Sequence, residues 1–195
     1  MKRALIAAFL GVLFLSCGGK KDEASPPADR PAKSTEQSKP RAAEETSSRD
    51  GFSELIGARI VPYLDEKASS TEKAVGVGEE FSIYVFGEYD KMYEMSAAEF
   101  KLDVPEGIEV LGEVKSDSTI MTMGKYDKDF MMAIKCTPGP KIMLMKYLCR
   151  VGSGFQGGVI ETHKGETQKF IGFTLCDETR TLVAAETGRA VLKKK

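Results

Sequence analysis

Apolar and polar positions divide the chain into three regimes. Residues 4–15 form an uncharged apolar run of twelve residues. Residues 18–50 contain no aromatic residue and no Val, Ile, Leu or Met. From Phe52 onward apolar residues return, mostly alternating with polar ones, which is the pattern of half-buried strands. Residues 80–87 put Phe81, Ile83 and Val85 on one face and Ser82, Tyr84 and Phe86 on the other. Residues 99–104 alternate through Phe100, Leu102 and Val104, and residues 129–136 through Phe130, Met132 and Ile134. Residues 141–151 are apolar on both faces, which predicts a central strand buried on two sides. Residues 108–114, 157–162, 169–176, 181–185 and 189–192 complete the set. Val104-Pro105-Glu106-Gly107 predicts a turn with proline second and glycine fourth. The one helical signal is a single turn within residues 92–100. The pattern predicts an all-β, two-sheet sandwich of about nine strands, jelly-roll or Ig-like, following a disordered N-terminal tether.

The apolar run near the start has a physical length. Twelve helical residues rise about 18 Å, short of a bilayer core of about 30 Å. Behind Met1-Lys2-Arg3 it reads as the h-region of a signal peptide and not as a span. It closes on Leu13-Phe14-Leu15-Ser16-Cys17, followed by Gly18-Gly19. A small residue before a cysteine at this place resembles a bacterial lipoprotein signal. That resemblance implies lipid on the Cys17 thiol, cleavage before it, and a cell-envelope location on the outer membrane or cell surface. The alternative is an ordinary secretory signal with Cys17 as a thiol. Leucine lies two and four positions before the cysteine, where the common pattern has it three before.

Residues 18–50 hold four prolines, seven basic and seven acidic residues. Such a segment lacks the apolar area to offset its ordering entropy and is expected to be a disordered linker. The predicted organisation is a signal peptide over residues 1–16, a lipidated Cys17 and linker over 17–51, and a β-sandwich over 52–195. About 140 residues suffice for a substantial core.

The order of motifs in the last segment carries a resemblance. Ala58-Arg59-Ile60-Val61-Pro62 is followed by Val75-Gly76-Val77-Gly78-Glu79-Glu80-Phe81-Ser82-Ile83-Tyr84-Val85. Then come Ala97-Ala98-Glu99-Phe100-Lys101-Leu102 and the turn into Ile108-Glu109-Val110, with Gly188-Arg189-Ala190-Val191 near the end. This series resembles a cohesin-type sandwich that opens on an edge strand. The resemblance implies a non-enzymatic module that binds a helical dockerin or, in fold relatives, carbohydrate. The expected partner is therefore a protein or a polysaccharide, bound by a monomer. In that topology the strands ending at Cys136 and Cys176 run the same way, which favours a Cys136–Cys176 disulfide with Cys149 buried. A Cys149–Cys176 bridge and three reduced thiols remain alternatives.

Charge and composition add mostly exclusions. The net charge of −1 gives no electrostatic argument for nucleic acid. A single histidine, His163, excludes multi-histidine metal sites. It sits in a polar turn, and no catalytic residue, metal site or cofactor is expected. Neither Cys149 nor Cys176 lies in a context that would lower a thiol pKa. The glycine-rich stretch 152–158 lacks the lysine and helix of a phosphate loop. Methionines cluster as Met121/Met123, Met131/Met132 and Met143/Met145, the first and last pairs each expected on one strand face. Thioethers suit Cu(I), so an extracytoplasmic copper carrier is the alternative function; filling of core gaps is the plainer account. Tyr84 and Phe86, with Tyr89 and Tyr93, are candidates for an exposed aromatic partner-binding patch.

Overall fold

The computed structural model describes residues 53–167 and 170–195. The expectations for the signal peptide, Cys17 and the linker lie outside these residues. Twelve strands account for all the regular structure described: β1 (Ser53–Tyr63), β2 (Glu72–Val75), β3 (Glu80–Glu88), β4 (Glu94–Asp103), β5 (Ile108–Lys115), β6 (Thr119–Gly124), β7 (Phe130–Pro138), β8 (Lys141–Val151), β9 (Gly158–His163), β10 (Gly172–Leu175), β11 (Leu182–Thr187) and β12 (Arg189–Lys194).

Pairing runs along the path β2-β12-β9-β4-β10-β11-β1-β3-β8-β5, while β7 joins the other edge of β4 and β6 joins β7. The path folds into a two-layer sandwich. One layer is β5-β8-β3-β1-β11 and the other β6-β7-β4-β9-β12-β2, with β10 paired to both β11 and β4 at the seam. Most pairs are antiparallel, but β1–β11 and β2–β12 are parallel. The resemblance placed residues 58–62 in an edge strand; β1 instead lies between β11 and β3.

Alternation explains the core. Phe81, Ile83 and Val85 of β3, Ala98, Phe100 and Leu102 of β4, Phe130, Met132 and Ile134 of β7, and Ala190 and Leu192 of β12 are all buried in one cluster. Phe100 and Phe130 meet with ring centroids 5.2 Å apart, and Tyr126 meets Tyr147 at 5.4 Å. Each fully buried side chain of this size contributes roughly 1.5–3 kcal/mol. The layers also share one polar clasp. The buried Thr162 hydroxyl on β9 donates to the Ile60 carbonyl of β1 at 2.6 Å and accepts from Gly188 N–H at 2.9 Å.

Three local readings need correction. The strand over residues 141–151 is not buried on two sides. The register between β3 and β8 passes from Val85↔Met145 to Phe86↔Met143, so Leu144 is a bulge. It switches the alternation phase: Ile142 and Leu144 before it, and Met145, Tyr147, Cys149 and Val151 after it, all reach the same core. The predicted helical turn over 92–100 is instead the start of β4. The turn after β4 is displaced by one residue, because Ile108 N–H donates to Pro105 O at 3.2 Å. Gly107 is then third in the turn with φ of +82°, where a side chain would be strained.

Candidate functional site

The outer face of β1-β3-β8-β5 is where the predicted partner-binding aromatics fall. Opposite residues of paired strands share a face, so the register reads as rows. Tyr63, Tyr84, Lys146 and Val114 form one row; Ser82, Leu148 and Gly112 the next; Glu80, Arg150 and Glu109 the outermost. A bulge between Val110 and Gly112 places Leu111 beside Leu148.

Tyr84 is half-buried, with the Lys146 ammonium 5.2 Å from its ring centroid. Phe86 is only 9% exposed and packs edge-on against Tyr63 at 5.7 Å. Tyr63 is itself covered by the Lys141 ammonium at 4.5 Å. Tyr89 is buried, and its hydroxyl donates to Thr137 O at 2.8 Å. The anticipated patch of open rings is therefore a partly sealed aromatic cluster. The exposed apolar side chains on this face are Leu111 (42%), Val114 (44%) and Leu148 (39%). Sequence reasoning passed over these three because a lone exposed aliphatic residue carries no motif; their clustering depends on pairing across strands.

Charge brackets the face at both ends. At one end Arg150 binds Glu80 at 2.7 Å. At the other, Glu88 accepts from the Tyr63 hydroxyl at 2.5 Å and from Lys141 Nζ at 2.8 Å, with Arg59 at 3.9 Å. Burial is the largest single influence on Glu88 and works to raise its pKa. The bonds from Lys141 and Tyr63 and the charges of Lys141 and Arg59 outweigh it, so the carboxyl is held below its usual range.

The cysteines occupy a different place. Cys136 and Cys176 are joined in a disulfide with Cα atoms 5.8 Å apart. It crosses the start of β4, where Cys176 N–H donates to Glu94 O at 2.8 Å. Glu94 with these two sulfurs is the one group of three His, Cys, Asp or Glu ligands within reach of one another among the described residues. Cys149 is buried, its thiol pushed up to about 12 by burial. His163 lies near Asp103 and Glu161, at 3.5 and 3.4 Å. The structure does not bring it to a cysteine.

The methionines do not all gather into one site: Met121, Met123 and Met131 share a groove, and Met143 and Met145 lie apart from it. Met143 and Met145 fall on opposite faces of β8 because of the Leu144 bulge, and Met145 is fully buried. Met132 is in the core, whereas Met131 lines a groove with Met121 and Met123 on the outside of the other layer. The copper-carrier reading finds no support in this arrangement.

No family model matches the chain, and no curated protein matches it. Among solved structures it is similar to the cohesin module of a family 33 glycoside hydrolase from Clostridium perfringens, at 12% identity over 71% of this chain and 98% of that one, with a TM-score of 0.53. It is likewise similar to the seventh ScaB type I cohesin of Pseudobacteroides cellulosolvens, at 14% identity over 71% of this chain and 92% of that one, with a TM-score of 0.50. At such identities the likeness is one of fold. The described residues form a cohesin-like β-sandwich, as the order of the sequence motifs implied.

Proposed function

We propose that this chain is a cell-envelope lipoprotein, held by lipid on Cys17 at the outer membrane or cell surface, whose sandwich recognises a protein partner. It acts as a binding module and not as an enzyme. The single observation that carries the recognition surface is the cluster of Leu111, Val114 and Leu148 on the β5-β8-β3 face, flanked by Lys146 and the Arg150–Glu80 pair. An apolar centre with a charged rim is the anatomy of a protein interface. The cohesin-like fold supports the same reading, because the resemblance to cohesins implies a module that binds a protein partner. A polysaccharide is disfavoured. Lysines sit over the Tyr63 and Tyr84 rings and Phe86 is buried, so this face lacks an open platform for a sugar.

The anchor rests on the short apolar segment, on Ser16-Cys17, and on the polar linker that follows. Several acyl chains on one residue give durable attachment where a single chain gives only marginal binding. Two experiments test the halves separately. A photo-crosslinking residue at position 148, introduced in the native host, is expected to give a discrete adduct that disappears with Leu111→Asp. The same residue at Val159, exposed on the other layer, is expected to give none. Adducts that ignore Leu111→Asp would overturn the face. Labelling with a clickable fatty acid should mark the wild type and spare Cys17→Ser, and equal labelling of both would overturn the anchor.

A further inference from the structure

A second site lies on the outer side of β6, β7, β4 and β10. The register sets two rows across these strands: Met121-Ala133-Ala97-Thr174 and Met123-Met131-Glu99-Gly172. Small residues make the floor. The methionines rise on one side and Phe170 on the other, and a Cβ on Gly172 would come within 2.6 Å of the Phe170 ring. The result is a groove of about 200 Å³ with a largely apolar lining. A cavity of roughly 150 Å³ accommodates benzene, so this one takes an apolar body somewhat larger than a single ring. Methionine suits such a wall because its thioether adapts to irregular shapes and packs well on aromatic rings.

Glu99 is the one ionisable side chain lining the groove. Its carboxylate makes no hydrogen bond or ion pair with any described residue. Burial, and then the negative charge of Asp129, push its pKa up. An apolar recess with one convergent charged group is the usual form of a small-molecule site. A neutral occupant would seal the carboxylate from water without compensation, whereas a cationic one would satisfy it.

We propose that this groove binds an amphiphilic monocation, an ammonium group on an apolar body of about one aromatic ring, with the body between Met121, Met123, Met131 and Phe170 and the charge on Glu99. The site is separate from the β5-β8-β3 face and does not depend on the reading of that face.

Methyl-¹³C methionine NMR on the full chain tests it directly, with 2-phenylethylammonium and neutral 2-phenylethanol as probes. The ammonium is expected to shift the Met121, Met123 and Met131 methyls saturably while leaving Met145 unmoved. The alcohol should bind at least tenfold more weakly. Glu99→Gln should remove that preference while the protein stays at least as stable as the wild type. Equal binding of the two probes, preference retained in Glu99→Gln, or no saturable shift of the three methyls would each overturn the proposal.

Discussion

Tyr84 and Phe86 lie two residues apart on β3 and carry different loads. Phe86 is buried against Tyr63, so Phe86→Ala opens a void. The expected loss is about 3 kcal/mol, read as a lowered denaturation midpoint with an unchanged slope. Tyr84→Ala mainly uncovers Lys146 and should lose less than about 1 kcal/mol. Equal losses would show that both rings belong to the core. Two glutamates make the corresponding contrast in charge. Glu88 is held low and Glu99 is pushed up, each from an ordinary value of about 4.5. A lowered carboxyl stabilises the fold above its unfolded pKa, and that share is lost as pH falls through the folded value. A raised carboxyl does the reverse: its share is present at low pH and lost as pH rises through the folded value. At pH 7 Glu88→Gln should therefore lower Tm and Glu99→Gln should raise it. Both differences should shrink toward zero near pH 3, and a pH-independent gap would contradict the assignment.

At the level of elements, the places where the amino-acid pattern misled are bulges and edges. In β4 the register shifts between Met95 and Ala97. The buried residues Met95 and Ala98 are thus three apart, a helical spacing produced by a strand. In β8 the Leu144 bulge brings both sequence phases to one core, which imitates a strand buried on two faces. Strand β6 was anticipated only through the shared strand face of Met121 and Met123, because none of its residues is buried, leaving no alternation to mark its bounds. Strands with unbroken phase, such as β3 before Phe86 and β7 before Cys136, were legible almost to the residue. The groove was legible only as a surplus of methionine, since its floor is assembled from four strands. The disulfide belongs to this scale too, because it ties the end of β7 to the segment after β10. It closes a separation of 40 residues, for which loop entropy gives up to about 4 kcal/mol. Cys136→Ser with Cys176→Ser should lose about 2–4 kcal/mol in chemical denaturation. No loss would mean that the bridge does not form in solution.

For the molecule as a whole, the decisive pairings join the two ends of the described chain. β1 lies beside β11, and β2 beside β12. Val75 of β2 sits in the core with Leu192 of β12. A chain stopped before Leu182 leaves β1 with β3 alone and β2 with no partner strand. Such a truncation should show neither a cooperative thermal transition nor slow-exchanging amides in β3 and β8. A sharp transition would mean that β3-β8-β5 is a folding unit in its own right.

The parallel β1–β11 pairing also sets a clock. Contacts this distant in sequence are slow to form, because loop closure must precede any gain from pairing. A ribosome or a translocation pore releases the N-terminal strands well before their partners exist. Until the last two strands emerge, β1 has only β3 beside it and β2 has no partner strand, so the sandwich cannot close. For a chain exported as proposed here, that delay keeps the polypeptide threadable through a narrow channel. Folding is then postponed by the order of the strands, to the far side of the membrane.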